Sequence, residues 1–174
     1  MIEFGKPLIS DKQRVNDFLK RSDFRGCEYT FGNIFGWSEH YNTEIGFEGG
    51  FCFEKTGRGA DTMFVYPYGE GSVEEAVGEI RKYAEANGLP CVICANKAIT
   101  EKIMELFPEA KAELYRDFCD YVYYALDLEE LKGKKYHAKR NHLNRFYEND
   151  WSFEAMAREN IPECLEIPEI WRAE

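Results

Sequence analysis

Apolar residues recur along this chain with two different periods, and the switches between them mark its elements. Residues 2–9 read as a short strand. Val15, Phe18 and Leu19 then fall at helical spacing behind the capping-box pattern Ser10-Asp11-Lys12-Gln13, which predicts a helix over 11–22, broken at Arg25-Gly26. Phe31, Ile34, Phe35, Ser38 and Tyr41 predict a second amphipathic helix over 29–41. Three β segments follow at Glu44–Glu48, Phe51–Lys55 and Thr62–Tyr66, separated by the turn signals Gly49-Gly50 and Thr56-Gly57-Arg58-Gly59. Ser72-Val73-Glu74-Glu75 is a second capping box. It opens the clearest helix, 73–87, which carries Val73, Ala76, Val77, Ile80, Tyr83 and Ala84 and stops at Gly88 and Pro90.

Cys91–Ala95 reads as a short buried strand, and Asn96 caps a helix over Lys97–Phe107 that Pro108 stops. Ala112–Arg116 and Phe118–Leu126 read as two more strands, the second of them alternating. Residues 127–133 read as a linker with one helical turn, 134–148 as a helix, Trp151–Met156 as a strand and Asn160–Arg172 as a final helix. The order up to Leu126 is β-α-α-β-β-β-α-β-α-β-β, an α/β (α+β) pattern without internal repeats.

Length and composition set bounds on this picture. A chain of 174 residues holds one full domain, or one domain and part of another. Its 13 Phe and 11 Tyr predict a ring-rich core. A pI of about 4.9 argues against broad nonspecific binding of nucleic acid. The N-terminus MIEFGKPLI lacks the basic and apolar regions of a signal peptide, and no apolar run is long enough to span a bilayer, so the chain is read as cytoplasmic. Of the six cysteines, Cys91 and Cys94 form a CxxC inside an expected strand. Residues three apart on a strand face opposite sides, so the reading is buried free thiols and no metal.

One segment departs from the overall acidity. Lys132 to Arg145 holds six Lys/Arg and no acid, on a chain whose net charge is −10, so the rest carries −16. Such a local feature attracts an anion. On a helical period Tyr136, Leu143, Phe146 and Tyr147 share a docking face, while Lys135, Lys139 and His142 share another, with Lys134 and Arg140 nearby. That row suits successive phosphates, Arg140 suits a bidentate contact, and Asn141 and Asn144 suit a sugar or base. Lys134, Lys135, Lys139, Arg140, Asn141 and Arg145 are therefore the candidate phosphate- or nucleic-acid-binding set. A solvated cationic helix that pairs with the chain's own acids is the competing reading.

Two motifs carry a family resemblance: Tyr29-Thr30-Phe31-Gly32-Asn33-Ile34-Phe35-Gly36-Trp37, and the longer, more specific Leu131 to Phe146. With them the chain resembles an uncharacterised bacterial family related to the C-terminal domain of phosphatidylglycerol lysyltransferases. The element order resembles the GNAT (N-acetyltransferase-like) fold, a mixed sheet flanked by helices. The resemblance implies two GNAT-like lobes in tandem: lobe one over 1–126, a linker and basic junction helix over 127–149, and the beginning of a second, truncated lobe over 150–174. It implies acyl or aminoacyl transfer, with an aminoacyl-tRNA or another phosphate-bearing donor as partner. The remainder of lobe two would be a further partner if the natural chain is longer.

GNAT enzymes hold the pyrophosphate of coenzyme A on a glycine loop between a strand and a helix. Here that place is Tyr66-Pro67-Tyr68-Gly69-Glu70-Gly71-Ser72, where Gly69, Gly71 and Ser72 fit. Tyr66 stands where an Arg/Gln is usual, and Glu70, Glu74 and Glu75 add like charge. A plain turn before a capped helix is the stronger reading, so acetyl-CoA or acyl-CoA is only a secondary cofactor expectation. No side chain in residues 1–126 stands out as catalytic; His40, the only histidine there, reads as a surface or half-buried residue. Three functions stay open: an aminoacyl-transfer-type transferase, a coenzyme A-dependent N-acetyltransferase, and a noncatalytic RNA-contacting module.

Overall fold

The computed structural model describes every residue except Asp23 and Glu174. Glu174, the last position of the expected second lobe, thus lies outside the described residues. The fold is α+β: a four-stranded mixed sheet with helices, in two compact units, Met1–Asp120 and Tyr121–Glu174.

In the first unit the strands are β1 (Glu44–Glu48), β2 (Phe51–Thr56), β3 (Met63–Gly69) and β4 (Ile93–Cys94), in the order β1-β2-β3-β4. The first three form an antiparallel meander. Gly49 and Gly50 both take positive φ in the two-residue β1–β2 turn, the geometry that matches strand twist. β4 returns parallel to β3 after helix α4 (Val73–Ala86), pairing Phe64 with Ile93 and Val65 with Cys94.

Side chains alternate across β2 and β3, and helices cover both faces. Phe51, Phe53, Phe64 and Tyr66 pack with Ala76, Val77, Ile80 and Ala84 of α4, flanked by Ile99 and Ile103 of α5 (Lys97–Leu106). Cys52 and Tyr68 pack on the other face with Val15 of α1 (Lys12–Leu19) and Phe31 and Ile34 of α2 (Phe31–Gly36). Ser72 accepts from the Glu75 amide at 3.1 Å and Glu75 accepts from the Ser72 amide at 2.9 Å, which completes the capping box at α4. At α1 the acid half of a cap sits earlier than expected: Asp11 accepts from the Leu8 amide at 2.8 Å.

Several elements differ from the sequence pattern. The N-terminal strand reduces to a bridge in which Gly5 and Ile45 exchange backbone bonds of 2.9 and 2.8 Å. The helix expected over 29–41 is two: α2, and α3 (Ser38–Tyr41), separated at Trp37. β3 runs on through Pro67 to Gly69. Cys52 pairs with Tyr68 and Glu54 with Val65, so Tyr66 and Pro67 together oppose Phe53. That is a β-bulge, the one place an interior strand accommodates a proline.

Neither strand expected within 112–126 forms. Those residues hold a 3₁₀ turn at Arg116–Phe118 and the start of α6 (Ala125–Glu130), with Val122 90% exposed. Alternation specifies a strand only where a ladder partner exists, and β4 offers an edge of two paired residues. Trp151–Met156 is likewise extended chain without a ladder, and Phe153 is 90% exposed. The second unit otherwise holds α6, α7 (His137–Tyr147) and α8 (Ile161–Ala173), close to the helices expected there.

Gly69 has φ +143°, and a Cβ there would lie 2.3 Å from the Gly50 carbonyl oxygen. Gly69→Ala is expected to lower stability by roughly 1–3 kcal/mol, read as a fall in Tm against wild type.

Candidate anion-binding helix and buried carboxyl

The basic segment folds as a 3₁₀ turn, Lys134–Tyr136, running into α7. Leu131 closes α6 in the left-handed region (φ 47°), and Gly133 follows at φ 88°. Arg140 ties this reversal together: its guanidinium donates to the Leu131 carbonyl and to the Gly133 carbonyl at 2.8 Å. The fork expected to take a phosphate is thus engaged on backbone.

Lys135 pairs with Asp127 at 3.0 Å, and the Tyr136 hydroxyl donates to the same Asp127 oxygen at 3.0 Å. These bonds, that from Lys135 first, hold the Asp127 carboxyl below its ordinary value and raise the Lys135 ammonium. Lys132 pairs with Glu130 at 2.6 Å. Lys139 lies over the Tyr123 ring, 5.3 Å from its centroid. Asn141 touches His137 at 3.4 Å. Lys134 and Arg145 are exposed and, among the described residues, have no side-chain partner. The rings of Phe146 and Tyr147 meet Trp151 in tilted contacts at 5.2 and 5.7 Å, the docking face of the helix closing on its own continuation. Of the six expected anion ligands, Lys134, Lys139 and Arg145 stay available, Lys135 is held by an acid, Arg140 is a backbone tie, and Asn141 faces a histidine.

The glycine loop is built for packing. A Cβ on Gly71 would meet the Phe51 ring at 2.3 Å, so both Gly69 and Gly71 admit close approach to β2. The Ser72 and Glu75 amides serve the capping box, and the Ser72 amide first, then the Ser72 side chain, hold the Glu75 carboxyl below its ordinary value. A carboxylate therefore occupies the helix start where a pyrophosphate would lie.

The Tyr29–Trp37 motif also serves the fold. The Tyr29 hydroxyl donates to the Tyr66 carbonyl at the bulge, at 3.4 Å. Thr30 caps α2, and Thr30 and Asn33 both donate to the Cys27 carbonyl at 3.0 Å. A shallow groove of about 460 Å³ runs between Lys12 and Asn16 of α1, Lys20 at its C-cap, and Thr30–Gly32. Cys27, Glu28 and Asp120 bring three metal-type ligand atoms within 4.8 Å of one another, all on exposed residues, a common arrangement without an ion.

Glu54 is the group that the sequence reading passed over. It lies on the Cys52 face of β2, 5% exposed, with Oε2 unpartnered, and the Tyr68 hydroxyl on that face is unpartnered too. Burial first, and then the Glu28 charge, push its carboxyl up to about 8. The available signal was an acid in register with Cys52 inside an apolar strand.

A family model described as phosphatidylglycerol lysyltransferase, C-terminal, matches residues 19–174. No curated protein matches the chain. A crystal structure described as a conserved protein of unknown function from Bacteroides thetaiotaomicron VPI-5482 superposes with a TM-score of 0.80 at 27% identity. The alignment covers 98% of this chain and 59% of that one, so this chain spans about three fifths of its solved relative. No helix among the described residues is long and apolar enough to cross a membrane.

Between the ordinary carboxylate value and about 8, the folded chain keeps a Glu54 proton that the unfolded chain has lost. Stability is therefore expected to fall as pH rises through that window and to level off above it. Glu54→Gln should remove this slope in urea melts across the window, a difference on the order of a few kcal/mol at its alkaline end. Arg140→Ala, which removes this donor from the Leu131 carbonyl and leaves the Gly133 carbonyl only the Tyr136 amide at 3.4 Å, should cost about 1–3 kcal/mol in the second unit, read as loss of α6–α7 amide protection in hydrogen exchange.

Proposed function

The chain belongs to the phosphatidylglycerol lysyltransferase C-terminal family, and from that premise we propose that it serves aminoacyl transfer. In this reading it contributes the first GNAT-like lobe, the junction helix and the opening of a second lobe. The basic segment around α7 receives a phosphate-bearing donor of the aminoacyl-tRNA type, in the cytoplasm. The observation that carries the proposal is the family match running through Lys134, Lys139 and Arg145, whose charges stay available on an acidic chain.

The physics of such a role is positioning. The charge outside the basic segment sums to −16, so an RNA backbone is repelled by the chain as a whole and attracted along that segment, which favours contact there. Holding a donor there removes translational and rotational freedom, a large share of a bimolecular barrier. The coenzyme A reading is weaker, because a carboxylate caps the helix at the glycine loop. A noncatalytic RNA-contacting module uses the same charges and differs only in lacking transfer.

Binding of unfractionated tRNA by fluorescence anisotropy tests the proposal. Wild type should bind at low salt and weaken steeply as salt rises. Lys139→Glu/Arg145→Glu should lose most affinity and lower the salt slope by about two while keeping its Tm. Equal affinity in the two proteins would remove α7 as the contact. Retained binding with no aminoacyl transfer to any lipid or peptide acceptor would favour the noncatalytic module.

A further inference from the structure

Two donors beside α7 converge on a single oxygen that belongs to the chain itself. Lys135 Nζ and Tyr136 Oη each reach Asp127 Oδ2 at 3.0 Å. Tyr136 is 5% exposed, so its hydroxyl is fixed by packing. Asp127 and Lys135 remain partly open to solvent. A cation and a hydroxyl that both donate to one anionic oxygen are donors a phosphate oxygen can also use; here a carboxylate engages them.

The surroundings favour an anion at this spot. It lies at the N-terminal end of α7, an 11-residue helix whose cap residue, Tyr136, makes no side-chain cap bond. The 3₁₀ turn takes the first of its amides, with His137 N–H donating to the Lys134 carbonyl, so the positive potential here comes from the flanking lysines. Lys134 stands next in sequence without a partner among the described residues, and Lys139 lies one helical turn beyond Lys135. Asp127 hangs from α6, which closes on Leu131 in a left-handed conformation, and Arg140 clamps that reversal. The acid is thus delivered by an element separate from the 3₁₀ turn that carries its donors.

We infer that the Asp127 position is a phosphate subsite occupied by an internal competitor. A phosphate oxygen of the incoming donor displaces the Asp127 carboxylate from Lys135 and Tyr136, and the acid swings to solvent. The inference deepens the proposed function and rests on α7 being the anion contact. An exposed ion pair is weak, so displacing it costs little, and the barrier is set to reject lone anions. A single small anion gains about as much as it breaks. A polyanion that also engages Lys134, Lys139 and Arg145 gains several contacts for one. The carboxylate therefore sets selectivity for extended phosphate chains.

The test is tRNA binding by wild type, Asp127→Asn, Lys135→Gln and the double variant, with sodium phosphate as a small-anion competitor. Asp127→Asn should bind tRNA roughly two- to fivefold tighter and become more sensitive to phosphate competition. The gain should vanish in the Lys135→Gln background. Lys135→Gln alone should weaken binding and lower the salt slope by about one, which keeps the test intact if Asp127→Asn fails to fold. Unchanged or weaker binding in a folded Asp127→Asn, with wild type binding and Lys139→Glu/Arg145→Glu not, overturns the subsite and leaves the α7 reading standing. Unchanged binding in Lys135→Gln overturns the subsite as well. Absence of tRNA binding in both wild type and Asp127→Asn overturns the two together.

Discussion

The first unit depends on a sheet whose two inner strands are buried on both faces. Phe51 to Glu54 of β2 are all buried, and β3 brings Phe64 and Tyr66 to one side and Tyr68 to the other. With water excluded from both sides, every backbone group there must find a partner inside the protein. The ladder supplies nearly all of them, and the bulge at Tyr66–Pro67 is where it is interrupted. Proline has no amide to offer, so the interruption falls on a residue that loses nothing by it. The Tyr66 carbonyl finds its partner in the Tyr29 hydroxyl, which ties the Tyr29–Trp37 motif to the sheet.

Among the described residues, Glu54 Oε2 and the Tyr68 hydroxyl are the buried side-chain atoms left without a partner. A carboxyl with an unpartnered oxygen in this setting is stable only as the neutral acid near neutral pH. Its neighbours on the same face are a thiol and tyrosine hydroxyls, which burial also keeps protonated. The face is polar in composition and uncharged in practice, and this is how a ring-rich core tolerates an acid. A Lys or Arg in reach would have inverted the outcome, and the described ion pairs place none on it.

The second unit obeys a different constraint. Its basic segment sits in an acidic chain, so its charges are contested before any ligand arrives. Lys132 and Lys135 are taken by acids nearby in sequence and Arg140 by two carbonyls at a tight reversal, while Lys139 lies over an aromatic face with its charge still available. Surface pairs of this type are weak, whereas a guanidinium that ties the Leu131 carbonyl, where α6 closes, to the Gly133 carbonyl is structural. The six cations therefore fall into distinct classes, and Arg140, the most attractive of them as a phosphate fork, is the one least available.

Local features were legible from residue order alone. The Ser72–Glu75 box, the Gly49-Gly50 turn, the meander, the five longest helices and the basic run each depend on neighbours a few positions apart, and all appear where the pattern puts them. The α+β class followed from their order. The bulge that carries β3 through Pro67, the missing ladders in 112–126, the burial of Glu54 and the engagement of Arg140 depend on partners distant in the chain. Hydrogen-bond pairing and desolvation are properties of place, and only the folded backbone assigns places. Residue order determined which side chains carry charge and which helices present them; tertiary structure alone decided which of those charges remain free to meet a ligand.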